Sequence, residues 1–157
     1  MITAVDTNVL LDILIPDKSY MEKSKHLLER SLEGGSLIVC GIVYAELASQ
    51  FPSSNDLDAF LSETGITLIN SNTKALGLAG ERWANYSKNR GKRIVCPRCS
   101  KQSEPSCPYC GSALSLRQRV LSDFIIGAHA LVHADALVSR DRGIYKTHFK
   151  ELKIMAP

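Results

Sequence analysis

Short apolar runs of strand length, separated by helix-length stretches, constrain the fold of this chain more than any other feature. "ITAV" at 2–5 ends on Asp6. "SLIVC" at 36–40, "GITLI" at 65–69 and "DALVS" at 135–139 follow, and "LKIMA" at 152–156 is a candidate fifth run. Most are continuous rather than alternating, as strands covered on both faces are. Between them, "TNVLLDIL" (7–14) has helical spacing and stops before Pro16. Ser19 with Glu22 reads as a capping box that opens a helix through Leu32, ended by Gly34 and Gly35. Further helices are expected over 42–51, 55–63, 72–89 and 123–134. This alternation predicts an α/β fold, with a mostly parallel sheet of four or five strands and helices on both faces. In such folds ligands bind beyond the carboxyl ends of the strands, near the topological switch point.

Acidic residues gather where that rule points. Asp6 follows the first strand, Asp141 lies two residues past the fourth, Asp123 opens the preceding helix, and Glu46 lies in the helix after the second strand. Singly, each has an ordinary reading: Asp6 or Asp123 as a helix cap, Asp141 as a turn residue, Glu46 on a solvated helix face. Together they suggest a site. Asp6 and Glu46 stand among apolar neighbours, where a carboxylate is costly without a positive partner. No Lys or Arg lies between Met1 and Pro16, or between Gly34 and Ser54. The natural counter-charge is a hard divalent cation such as Mg²⁺ or Mn²⁺.

The chain has 157 residues, 45% apolar and 22% charged, enough for one core and too few for two ordinary domains. No apolar run is long enough for a membrane span, and the N-terminus has no basic region before Asp6, so neither a membrane association nor a signal peptide is expected. A cytosolic setting follows, in which clustered cysteines are thiols or metal ligands rather than disulfides.

Four segments, "AVDTNVLLDIL", "VYAELA", "SDFIIGAHA" and "LVSRDRGIY", stand in the order and at roughly the spacing found in PIN-domain nucleases. The chain most closely resembles the VapC-type toxin branch of that family, over nearly all of 1–157 except about 91–118. The resemblance implies a parallel sheet of four or five strands flanked by helices. Its acidic quartet falls on Asp6, Glu46, Asp123 and Asp141 as catalytic residues and Mg²⁺ or Mn²⁺ ligands, with one or two ions bound. Asp6, Asp123 and Asp141 are expected to hold the principal ion, while Glu46 helps hold a second ion or positions the water. Asn8 and Ser139 fall on polar positions of the motifs. Ser139 stands where the family usually has threonine and keeps the hydroxyl. The activity implied is hydrolysis of RNA phosphodiesters, leaving a 5′-phosphate and a 3′-hydroxyl. The metal reverses the repulsion between acids and phosphate, orients a water and lowers its pKa. A toxin also implies a cognate antitoxin protein, and family members commonly form homodimers. Arg140 and Arg142 flank Asp141 and are placed either to touch the scissile strand or to pair with neighbouring acids.

The interruption at 91–118 has its own logic. Cys96-x2-Cys99 and Cys107-x2-Cys110, each with proline after its first cysteine, have the spacing of a small zinc ribbon with one tetrahedral Zn²⁺. Redox motifs and a rubredoxin-like iron site are the competing readings. An insert this small cannot build a core, so a metal would largely fold it. Residues 88–119 carry +7 within a chain of net +3, leaving −4 on the rest. A basic ribbon on an acidic body suggests an RNA clamp, with Tyr109 available for base stacking. The alternatives are a solvated loop, a stability staple or a dimer contact. Ordinary VapC toxins lack such a ribbon, and PIN endonucleases of ribosome assembly carry one after the domain. The insert therefore favours an RNA-processing role over a toxin. Cys40 is expected in the core. His129 and His133, four apart on a helix, are either packed residues or metal ligands.

Three functions remain open to test: a metal-dependent endoribonuclease, a non-catalytic PIN-fold module that binds RNA or a nucleotide through its ribbon, and an assembly protein whose ribbon mediates oligomers.

Overall fold

The central strand β1 (Ile2–Val5) is flanked by β2 (Ser36–Val39) on one side and β6 (Ala136–Val138) on the other, all parallel. This is a computed structural model that describes residues 1–89, 101–103, 106–112 and 121–157, together with the backbone at 94–95. β3 (Ile66–Leu68) adds beyond β2 and β7 (Ile154–Met155) beyond β6, giving the order β3-β2-β1-β6-β7 in a five-stranded, all-parallel sheet. The core strands are apolar because both faces are covered: Ala4, Val5, Leu37, Ile38 and Val39 are buried, as is every residue of β6.

Helices α1 (Thr7–Leu14), α2 (Met21–Glu33), α3 (Gly41–Ala48), α4 (Ser54–Glu63), α5 (Thr73–Asn89), α6 (Leu121–His133) and α7 (Arg142–His148) connect the strands. The expected α/β architecture, a parallel sheet of four or five strands, is therefore found in its five-stranded form. The capping box is not. Ser19 makes no cap; its amide and that of Tyr20 bond to the Asp17 carboxylate, and α2 starts only at Met21. The amide of Met21 then bonds to the carbonyl of Asp17 at 2.9 Å, so an aspartate turn replaces the serine cap. α4 does receive a side-chain cap, from Ser53. α7 was not expected from periodicity.

Within the interruption, β4 (Ile94–Val95) and β5 (Gln102–Ser103) pair with each other, antiparallel, as a separate two-stranded sheet. Cys107 to Ser112 close a tight turn: the Gly111 amide bonds to the Cys107 carbonyl at 2.9 Å and the Cys107 amide to the Ser112 carbonyl at 2.8 Å. Gly111 has φ +71°, which a glycine adopts without cost. Cys96, Cys99 and the basic residues Arg90, Lys92, Arg93, Arg98, Arg117 and Arg119 lie outside the described residues. Among the described residues no helix is long and apolar enough to cross a membrane.

Candidate active site

The chain leaves β1 toward β2 on one side and returns to β6 on the other, so the switch point lies between the carboxyl ends of β1 and β6. The first residues beyond those ends are Asp6 and Ser139. The Asp6 amide extends the ladder to the Val138 carbonyl at 3.0 Å, which fixes its side chain over the gap. Asp6 is 5% exposed.

Three donors converge on one oxygen of that carboxylate. Asp6 Oδ2 accepts from Ser139 Oγ at 2.6 Å, from Asn8 Nδ2 at 2.8 Å and from the Tyr145 hydroxyl at 3.1 Å. The Ser139 hydroxyl is fully used: it donates to Asp6 and accepts from Asn8 Nδ2 at 3.3 Å and from the Asp141 amide at 3.0 Å. Asn8 Oδ1 in turn accepts from the Arg140 amide at 3.1 Å. Three hydrogen bonds thus share Oδ2 of Asp6, and the Asn8 backbone also acts to lower this carboxyl.

Electrostatics place Asp123 and Asp141 in the same neighbourhood. Burial pushes the Asp6 carboxyl up to about 6, against the bonds from Ser139 and Tyr145 that lower it, and the charge of Asp123 raises it further. Burial also drives the Tyr145 hydroxyl far above its ordinary range, helped by the charges of Asp6, Asp123 and Asp141. One phenol therefore senses three aspartates. Asp141 has a structural task as well, since its Oδ1 caps α7 by accepting from the Gly143 and Ile144 amides.

Glu46 departs from expectation in one respect. It is exposed rather than buried, because α3 turns Val43 and Leu47 into the core instead. It joins the group through Thr7, whose hydroxyl donates to Glu46 Oε2. Arg140 reaches away from the acids around Asp6. Its guanidinium pairs with buried Asp12 at 3.0 Å and lies 3.8 Å from Asp17. Arg142 is exposed at the start of α7. His129 is 1% exposed, stacks on His133 at 4.7 Å and meets Ser71 Oγ through Nδ1 at 3.1 Å. Cys40 is buried in the core, as expected.

Tyr145 and Thr7 were not singled out from sequence, and for Arg140 the acid-pairing alternative is the one found, with Asp12 as its partner. Each depends on contacts over long separations, such as 139 residues between Asp6 and Tyr145. Among the described residues no group of three or more His, Cys, Asp or Glu side chains is drawn together closely enough to chelate a metal. The donor chemistry nonetheless suits a hard cation: a buried carboxylate with a second aspartate acting on it, beside an Arg140 whose guanidinium pairs with Asp12 instead.

No family model and no curated protein matches the chain. Solved structures do. VapBC-1 from nontypeable Haemophilus influenzae superposes with a TM-score of 0.63 at 19% identity, covering 99% of this chain and 98% of that one. VapBC2 from Rickettsia felis, bound to a DNA fragment from its promoter, gives 0.59 at 19% identity over the same shares. A toxin–antitoxin complex from Klebsiella pneumoniae gives 0.54 at 17% identity, covering 91% and 89%. Likeness at this identity establishes the fold, and it is the PIN-like fold that the sequence motifs imply.

Proposed function

We propose that the chain is a metal-dependent endoribonuclease of the VapC-like PIN type, working as a toxin or as an RNA-processing enzyme. The observation that carries this is Asp6: a buried carboxylate at the switch point, raised to about 6 by burial, with the charge of Asp123 raising it further against three side-chain hydrogen bonds. A group in that position is stabilised by a cation and serves little purpose in an inert core.

In this reading Asp6, Asp123 and Asp141 hold one Mg²⁺ or Mn²⁺, and Glu46, held by Thr7, assists with a second ion or the water. When bound, the metal supplies charge neutralisation and an activated water. The chain supplies orientation. Asn8, Ser139 and Tyr145 fix Oδ2 of Asp6 and so hold the carboxylate in one geometry. Ser139 also ties the backbone of Asp141 to this frame, so the two aspartates move as a unit.

Cys96, Cys99, Cys107 and Cys110 are proposed to bind one structural Zn²⁺. The tight turn at Cys107–Ser112 and the lowered Cys110 thiol, held by its hydrogen bonds to Ser112, suit a thiolate ligand. The ribbon's basic residues would supply the phosphate grip that an acidic body lacks. An antitoxin is the proposed protein partner. An apolar cleft of about 320 Å³ between α1, α2 and α4, lined by Leu10, Ile13, Leu28 and Phe60, is suited to apolar side chains of a partner helix.

The deciding experiment is cleavage of pooled structured RNA with and without Mn²⁺, by the wild type and Asp6→Asn, with zinc content verified in both. Cutting that needs Mn²⁺ and disappears in the variant is expected. Equal RNA binding by both proteins with no cutting by either would transfer the assignment to the non-catalytic binding module.

A further inference from the structure

Beside the acidic group lies an open cleft of about 410 Å³ lined by Asn8, Tyr20, Arg140 and Asp141. Its volume falls in the ~300–1,000 Å³ range of small-ligand sites. Two of its walls, Asn8 and Asp141, are shared with the centre around Asp6. A nucleotide whose phosphate sits at the aspartates therefore has its sugar or base in this cleft.

The far wall is a stacked pair. The Arg140 guanidinium lies 4.8 Å from the centre of the Tyr20 ring, and the Lys23 ammonium is 5.6 Å from the same ring. Tyr20 is 37% exposed. The charge of Arg140 is already matched by Asp12 at 3.0 Å and Asp17 at 3.8 Å, so its guanidinium presents little unmatched positive charge. That disfavours a second phosphate. What remains on offer is the exposed part of the Tyr20 ring, the second lone pair of Asn8 Oδ1 and the Arg140 N–H groups other than Nη1. Those are the features that hold a nucleobase.

We infer that this cleft is a nucleobase subsite, in which the base next to the reacting phosphate stacks on the Tyr20–Arg140 pair. Asp12, itself bonded by Ser24 Oγ at 2.6 Å, is the anchor that keeps Arg140 over the ring. The inference rests on the nuclease reading for the placement of the phosphate. Asn8 links the two, because one amide bonds Asp6 and receives the Arg140 backbone.

The test uses the full chain with Mn²⁺ and compares the four nucleoside 5′-monophosphates with ribose 5-phosphate, by ligand-observed NMR titration. Stacking is worth about 1–3 kcal/mol per base, or roughly 5–150-fold in affinity. At least one monophosphate should bind the wild type about fivefold or more tightly than ribose 5-phosphate. Tyr20→Ala should erase that preference and leave ribose 5-phosphate binding unchanged, while Tyr20→Phe keeps it. Equal affinity for base-bearing and baseless ligands, a preference that survives Tyr20→Ala, or no binding by the wild type would each overturn the subsite. Failure of the nuclease reading has a separate signature: ribose 5-phosphate binding indifferent to Mn²⁺ and to Asp6→Asn, with no RNA cutting.

Discussion

The Tyr145 hydroxyl donates to Oδ2 of Asp6 at 3.1 Å, across 139 residues of sequence and inside a fully buried pocket. Burial and the neighbouring aspartates raise this phenol above its ordinary range, so it is a protonated donor at neutral pH. Asp6 thus has an orienting partner that does not itself titrate there.

Tyr145→Phe should therefore leave the fold intact and loosen the carboxylate. Hydrogen bonds to charged groups contribute about 1.5–3 kcal/mol, and lost outer-shell partners typically cost about 10–100-fold in metal affinity. Mn²⁺ titration followed by electron paramagnetic resonance should show a drop of about tenfold or more, with RNA cutting falling in parallel. Unchanged Mn²⁺ affinity would mean that the phenol merely fills space.

Two buried groups give the metal-free protein opposing pH dependences. The folded state raises Asp6 from 3.8 to about 6, so between those values it binds more protons than the unfolded chain. Stability then falls as pH rises through that window. His129 is lowered from 6.5 to about 4, first by burial and then by His133, so there the unfolded chain binds more protons. Stability then rises with pH from about 4 to 6.5. Each acts at up to about 1.4 kcal/mol per pH unit, so the wild type in chelator should be nearly flat between pH 4 and 6. Asp6→Asn should unmask the upward slope and be more stable than wild type at pH 7 by about 1–3 kcal/mol. His129→Gln should unmask the downward slope. Urea unfolding at half-unit pH steps reads all three, and parallel profiles would refute the assignment.

These groups differ in how far sequence reveals them. β1 and α1 were legible to the residue, because a continuous apolar run followed by helical spacing leaves little choice of register. Asp6 and Asp141 were legible as acids beyond strand ends, Asp123 as the acid opening the helix before β6, and Asn8 and Ser139 as polar positions in motifs. Glu46 misled in its burial, since apolar neighbours in a helix face different directions. Ser19 misled as a cap, because Asp17 offers its carboxylate to the same amides first. Tyr145 as a partner of Asp6, and Asp12 as the acid that Arg140 pairs with, were illegible, because both pairings are set by which strands are neighbours in the sheet. α7 is seven residues long, too short for periodicity, and is started by the Asp141 cap.

Zinc removal should separate the ribbon from the body. β4 and β5 form a sheet of their own, and the five-stranded sheet contains no residue between Leu68 and Ala136. Cys110→Ser should abolish the bound zinc measured by elemental analysis while shifting the thermal midpoint of the body by at most a few degrees, as a loss of about 1 kcal/mol or less would. RNA affinity should drop and become less dependent on salt if the ribbon grips phosphates. Unchanged RNA binding with a changed oligomer by light scattering would favour the assembly role instead.

Gly127 tests how tightly the core holds this frame. A Cβ built there would lie 2.7, 2.8 and 2.9 Å from three ring atoms of Phe149. The ring has no room to retreat, since Phe149 is fully buried against Phe124 and Tyr145, with the Arg82 guanidinium 4.6 Å from its centre. Alanine favours a helix over glycine by about 1 kcal/mol, whereas overpacking costs about 1–3 kcal/mol, so the clash should win and Gly127→Ala should destabilise. Phe149→Leu alone should cost about 1 kcal/mol or more through lost packing. Combined, the two should cost less than their sum, because the smaller leucine yields to the new methyl. Chemical unfolding of the four proteins measures the coupling, and strict additivity would show that the helix moves rather than the ring. Because Phe149 packs on Tyr145, Gly127→Ala should also weaken Mn²⁺ binding, and the Phe149→Leu partner should restore part of it.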